Sequence, residues 1–164
     1  MPIYKQLFVL FLGIATAQLS AATDDLELRE VTENVYAIVG SLGNRTPENL
    51  GNNATFGFVV TSEGVVLIDS GGTHKGAKQL HNVIERVTDK PIVTVINTGG
   101  QDHRWLGNEY FQNLGAKVIA SRRAVADQKA RRQDQFIMLG NLVGNDGLSG
   151  TNDTYADEVF DNEM

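Results

Sequence analysis

Apolar residues fall along this chain in two rhythms. They run nearly unbroken in "FGFVV" (56–60), "GVVLID" (64–69) and "IVTVIN" (92–97), which predicts strands buried on both faces. "VYAIVGS" (35–41) and "AKVIAS" (116–121) read as two further strands. "TSEG" between the first two runs signals a hairpin. Elsewhere the spacing is helical. Ala77, Leu80, Val83, Ile84 and Val87 form one stripe, with Thr73 placed to cap it and "DKP" to end it. Leu106, Tyr110, Phe111 and Leu114 predict a short amphipathic helix, with Gly115 at a left-handed C-terminal cap. Ser121 is placed to cap a helix through 122–139. Residues 23–34 read as a polar lead-in, 42–55 and 140–157 as loop, and "EVFDNEM" as a strand just begun.

Hairpin strands followed by alternating helix and strand predict an α/β sheet with helical crossovers. Ligands in such sheets gather where strand C-termini open into loops. Here those loops are 69–76 and 97–104. Asp69 ends one strand, and Asp102 and His103 lie just past another. With the strands adjacent, both carboxylates and the imidazole converge as metal ligands with a supporting acid, or as a general acid/base set. The plainer alternative has Asp69 capping the Ser70–Thr73 turn and Asp102 capping a helix that starts near Arg104. Gly99 and Gly100 let the backbone approach a ligand and aim N–H groups at an anion. Gln101 is suited to orient a water or carbonyl, and Asp102 to take a proton or fix the tautomer of His103. His74 and His81, two turns apart among lysines, read as a solvated helix face. So do Arg122, Arg123, Lys129, Arg131 and Arg132, while Trp105 reads as a packing residue.

Composition narrows the setting. At 164 residues the chain suits one domain, or part of a larger one. Residues 1–22 have a secretory-signal pattern: Lys5, the apolar run "LFVLFLGIA", then small residues permitting cleavage after Ala22 or Ala17. That predicts a periplasmic or secreted protein whose domain starts at 23 and runs to 164, with no membrane contact once the signal is removed. Removing the signal deletes Lys5 and takes the net charge from −6 to −7, which argues against nucleic acid as partner. Zero cysteines exclude disulfides and thiolate ligands. No Gly-rich phosphate fingerprint points to a nucleotide.

The order "NNATFGFVV", "GVVLIDSGG", helix, "VINT", "DHRWLGN", "NEYF" and "GAKVIAS" resembles the metallo-β-lactamase superfamily, over residues 30–135. The resemblance implies an αββα sandwich, of which this chain carries the N-terminal half, truncated before the second. It implies zinc as cofactor, a small-molecule substrate, and hydrolysis of an ester, thioester or amide-type bond by metal-activated water. Asp102 and His103 match the part of the "NTHxHxDHxxGN" motif that serves the second metal, with Asp102 the candidate catalytic residue and Asp69, Gln101, Gly99 and Gly100 in support.

The motif departs from its pattern where the histidine pair belongs. Anchored on Asp102–His103, those positions are Thr98 and Gly100; anchored on Asn97–Thr98, they are Gly99 and Gln101. No His follows His103. Catalytic zinc takes three protein ligands, and one Asp with one His does not reach that number. Two readings therefore stand: a metallo-hydrolase whose other ligands come from elsewhere, and a catalytically inactive member of the fold serving as a binding or partner module. The missing second half also predicts an exposed apolar sheet face open to self-association.

Overall fold

A computed structural model describes residues 26–161 of the chain. The secretory-signal expectation for 1–22 lies outside the described residues, as does the end of "EVFDNEM".

One seven-stranded sheet follows the order of the chain: β1 (Glu27–Thr32), β2 (Val35–Val39), β3 (Thr55–Val60), β4 (Val65–Ile68), β5 (Ile92–Asn97), β6 (Lys117–Ser121) and β7 (Glu158–Phe160). The first four strands are an antiparallel meander. From β4 onward the pairing is parallel, so helices make the crossovers: α1 (His74–Ile84), α2 (Asn108–Asn113), then α3 (Arg122–Leu142) with α4 (Gly144–Leu148).

The helix starts follow the sequence signals. Thr73 Oγ1 accepts from Gly76 N at 2.9 Å, and Ser121 Oγ from Ala124 N at 3.1 Å, each satisfying an otherwise orphaned first-turn donor. Gly115 holds φ +93° in open space, as a left-handed cap after α2 requires.

The core lies on one face of the sheet. Ala77, Leu80, Val83 and Ile84 of α1 and Phe111 of α2 pack on Ile38, Phe56, Phe58, Leu67, Val95 and Val118. A second cluster joins Trp105 and Leu106 to Leu139 and Val143 at the far end of α3.

Three sequence expectations need correction. Residues 27–32, within the segment read as a lead-in, form β1 along β2. An edge strand can be polar where one face is solvated, and Leu26 and Leu28 suffice to anchor it. The stretch from Gly140 is not all loop, because α3 runs on to Leu142 and α4 follows. Burying Leu139 and Val143 against Trp105 outweighs the cost of glycines in helices there. The strands, finally, are not buried on both faces. Burial alternates along β3 to β6, and the face away from α1 and α2 is only half-buried.

Candidate functional site

Ile68 pairs with Ile96, so the segments after β4 and β5 leave the sheet by the same edge. Hydrogen bonds stitch the two loops together: Gly71 N donates to His103 O at 3.0 Å, and Gly107 N to Gly71 O at 3.1 Å. Asn97 and Asn108 exchange amide hydrogen bonds of 3.0 and 2.9 Å beneath them. The convergence expected from the sequence is thus present in the backbone. The side chains divide it.

Asp69 turns toward β5. Its backbone has φ +66°, uncommon for a residue with a Cβ, and its N–H donates to Ile96 O at 2.9 Å. Its carboxylate accepts from Thr98 N at 2.8 Å and from Thr98 Oγ1 at 2.8 and 3.0 Å, with the Arg104 guanidinium 3.6 Å away. Asp69 thereby fastens the end of β4 to the end of β5. It does not cap the Ser70–Thr73 turn, where Thr73 serves. Burial pushes the Asp69 pKa up, while the Thr98 hydrogen bonds and Arg104 pull against that rise.

Asp102 faces the other way. Only 2 % exposed, it opens a single 3-10 turn, Asp102–Arg104, and its side chain caps nothing. Both carboxylate oxygens are taken by Arg45, from the loop between β2 and β3. Arg45 Nε donates to Oδ2 at 2.5 Å and Nη2 to Oδ1 at 2.6 Å. This is a two-pronged, charge-assisted contact, and it holds the Arg45 pKa above its ordinary value. Arg45 Nη2 also lies 3.4 Å from His103 Nδ1. The positive charge beside the Asp–His pair is therefore a guanidinium.

His103 is held toward its neutral form. Burial is the main cause; Arg45 and Arg104 reinforce it, and Asp102 opposes them. In the unfolded chain this imidazole takes a proton near its ordinary pKa of 6.5, whereas the folded chain resists until lower pH. The unfolded state then binds more protons, so stability is full above about pH 6.5 and falls as pH drops through that value. His103→Gln is expected to flatten this part of the profile, measured as urea-unfolding free energy between about pH 7.5 and 5. An unchanged slope would mean that His103 is not the group responsible. Asp69, with its raised pKa, acts in the opposite sense.

Gly99 and Gly100 are gripped by α3. Gln128 Nε2 donates to Gly99 O at 3.1 Å and Gln135 Nε2 to Gly100 O at 2.7 Å. Gln135 Oε1 in turn accepts from Trp105 Nε1 at 3.0 Å, and Trp105 is fully buried against Tyr155, as its packing role predicts. The loop is thus pinned through its carbonyls. Gln101 is exposed on the rim of a cleft of about 360 Å³, which Arg45, Asp102, Arg131, Asp134, Gln135 and Met138 also line.

His74 and His81 are not a solvated face: His81 Nδ1 is 2.9 Å from Tyr110 Oη, and the His74 ring stands edge-on to Tyr110 at 5.2 Å. They pack α1 on α2. The basic residues of α3 are exposed, and three of them are paired, Arg122 with Asp161, Arg131 with Asp127 and Arg132 with Asp153.

Sequence reasoning missed Arg45, which sits 57 positions from its partner in a loop with no motif of its own. It also missed Gln128 and Gln135, although their seven-residue spacing places them on one helix face.

Zinc does not fit these side chains as arranged. Asp102 has its charge and both oxygens engaged by Arg45, Asp69 is committed to Thr98, and α3 closes over Gly100. Among the described residues no group of three or more His, Asp or Glu is placed to hold a metal ion.

No family model matches the sequence. The chain is similar to "Metallo-beta-lactamase type 2" of Elizabethkingia meningoseptica, at 28% identity over 143 residues, covering 80% of this chain and 55% of the relative. Its fold is similar to two solved structures. One is a metallo-β-lactamase from Pontibacter korlensis, with TM-score 0.53 and 20% identity, covering 82% of this chain and 52% of that one. The other is a metallo-β-lactamase from Hirschia baltica, with TM-score 0.51 and 16% identity, covering 82% and 52%. The chain spans about half the length of each of these. With this strand order and these crossovers, the chain has the fold of those metallo-β-lactamases, over about half of it.

Proposed function

We propose that this chain is a binding module on the metallo-β-lactamase fold, in which the Arg45 guanidinium supplies the positive charge of the Asp102–His103 pole in place of a metal. The observation that carries this reading is the two-pronged Arg45–Asp102 contact at 2.5 and 2.6 Å. A nearly buried carboxylate paired in this way already has its charge balanced and one lone pair on each oxygen taken, so a cation there would face the guanidinium's positive charge or have to displace it. The ligand surface is the adjoining cleft. Arg131, Asp134, the amides of Gln101 and Gln135, and Met138 suit a small polar molecule with both donors and acceptors. The expected result with the purified full chain is zinc well below one equivalent after equilibration with excess zinc and removal of free metal. Stoichiometric zinc in the unaltered chain would overturn the reading.

A second reading rests on the similarity to a protein named metallo-β-lactamase. Here a metal-activated water hydrolyses an ester, thioester or amide-type bond, with Asp102 and His103 as two ligands and further ligands from beyond the described residues. It predicts the opposite zinc result. Under either reading the pattern of residues 1–22 supports export to the periplasm or beyond. N-terminal sequencing of protein from the periplasmic fraction, with a start near Thr23, tests that.

A further inference from the structure

The end of α1 carries two ligand-type side chains that take no part in the Asp102 pole. His81 and Glu85 stand four residues apart, one turn above the other on the same helix face. His81 Nε2 lies 3.8 Å from Glu85 Oε1. That is too long for a hydrogen bond. It is close to the separation of about 3.4 Å that two ligands have when each sits about 2.1 Å from one ion in a tetrahedral set. The ring is already oriented. On its other side Nδ1 is 2.9 Å from Tyr110 Oη, and the ring meets those of Tyr110 and Phe111 of α2 edge-on. A metal-ligating imidazole is fixed in the same way, giving its second N–H to a neighbour that selects the tautomer. His81 and Glu85 border a cleft of about 360 Å³ together with Thr88, Asp89 and Lys90. Lys90 turns its Nζ to Thr61 O at 2.7 Å, while Asp89 and the C-terminal end of α1 add negative potential. The cleft is remote from Asp102. α1 starts beside the β4 loop and, with 11 residues, carries this end about 16 Å away from it.

We propose that His81 Nε2 and the Glu85 carboxylate bind a divalent transition-metal ion, with water filling the remaining positions. With the ion on Nε2, Nδ1 carries the ring proton and donates it to Tyr110 Oη. Glu85 reaches the ion by a small rotation, since its side chain is 60% exposed and free to turn. One imidazole, one carboxylate and water form a nitrogen and oxygen set, for which copper(II) ranks above the other divalent first-row metals. Two protein ligands are fewer than the three or four of lasting zinc sites, so zinc here leaves with the free metal. The retained-zinc test at Asp102 is therefore independent of this site, and the two proposals fail separately.

The test is titration of the metal-free full chain with copper(II), followed by calorimetry and by electron paramagnetic resonance. Bound copper with hyperfine splitting from a single imidazole nitrogen is expected. His81→Gln and Glu85→Gln should each weaken binding at least about tenfold, and Tyr110→Phe, which removes the oxygen that orients the ring, by about tenfold. His103→Gln should leave the affinity within about twofold, as a distant site requires. Should Tyr110→Phe fail to unfold cooperatively, the two ligand variants decide on their own. Copper affinity unchanged by His81→Gln or by Glu85→Gln would overturn the proposal. So would affinity lost in His103→Gln instead, or a spectrum without imidazole nitrogen.

Discussion

Asp102→Ala is expected to lower folding stability by about 3 kcal/mol in the absence of metal, the lower end for breaking a buried ion pair. The lower end applies because the Arg45 side chain keeps 17% of its exposure, so the stranded guanidinium recovers some water. Arg45→Ala should cost a similar amount for the mirror reason. It leaves a carboxylate only 3% exposed without its two donors. The double variant should cost much less than the two singles together, because neither charge is left behind. Urea denaturation of the four proteins gives the coupling, expected at about 2 kcal/mol or more. Additive losses would show that the contact is incidental and would remove the main support for a guanidinium-filled pole. A large stability gain from added zinc in the unaltered chain would point the same way, since a bound metal stabilises by mass action.

Gly100→His, which sets a histidine at one of the positions the motif offers when anchored on Asp102–His103, is expected to cost about 3 kcal/mol or more through overpacking. Any Cβ at this position overlaps the Asp127 carboxylate and falls 2.5 Å from Asp127 Cγ and 2.6 Å from its Cβ. Asp127 cannot swing clear as a whole, since its Cβ is fixed to α3, and α3 is bound to this loop through Gln128 and Gln135. The clash therefore falls on the two carbonyl hydrogen bonds that hold the glycines. Thr98→His is the control. Thr98 is exposed, so the substitution forfeits mainly the Oγ1 hydrogen bond to Asp69, about 1 kcal/mol. Asp127→Ala should return part of the loss in Gly100→His, because it removes the carboxylate but leaves the Cβ. Thermal or urea unfolding of these variants reads the difference. Equal costs at positions 98 and 100 would mean that α3 yields easily, and that a metal-binding loop is within reach of one substitution.

The turn between β5 and α2 begins with an acidic residue and an imidazole, and backbone hydrogen bonds join it to the β4 loop. The side chains around it are committed within the fold. One acid braces strands, the other holds an arginine, and two glutamines occupy the backbone that the glycines expose.

The strands and helices of this chain were legible in one dimension where a signal is local. A β-branched run, a 3.6-residue stripe, a threonine or serine before a helix and a glycine after one act over a few residues, and the structure carries each of them at Val65–Ile68, Ala77–Ile84, Thr73, Ser121 and Gly115. The parallel neighbours β4 and β5 were legible too, because a crossover helix allows few other arrangements. β1 and the end of α3 were not. Their composition is polar or glycine-rich, and they owe their form to a ladder and to an aromatic ring supplied from far along the chain.

The candidate residues divide on the same ground. The sequence by itself determined that Asp69, Asp102 and His103 lie on one edge of a sheet, since strand ends and turn lengths put them there. Tertiary structure alone decided what each side chain does. Arg45 reaches Asp102 across 57 positions, Thr98 claims Asp69, and Asp127 of α3 fills the space beside Gly100. A side chain's partner is set by distances in the folded chain, and local sequence carries no record of those distances.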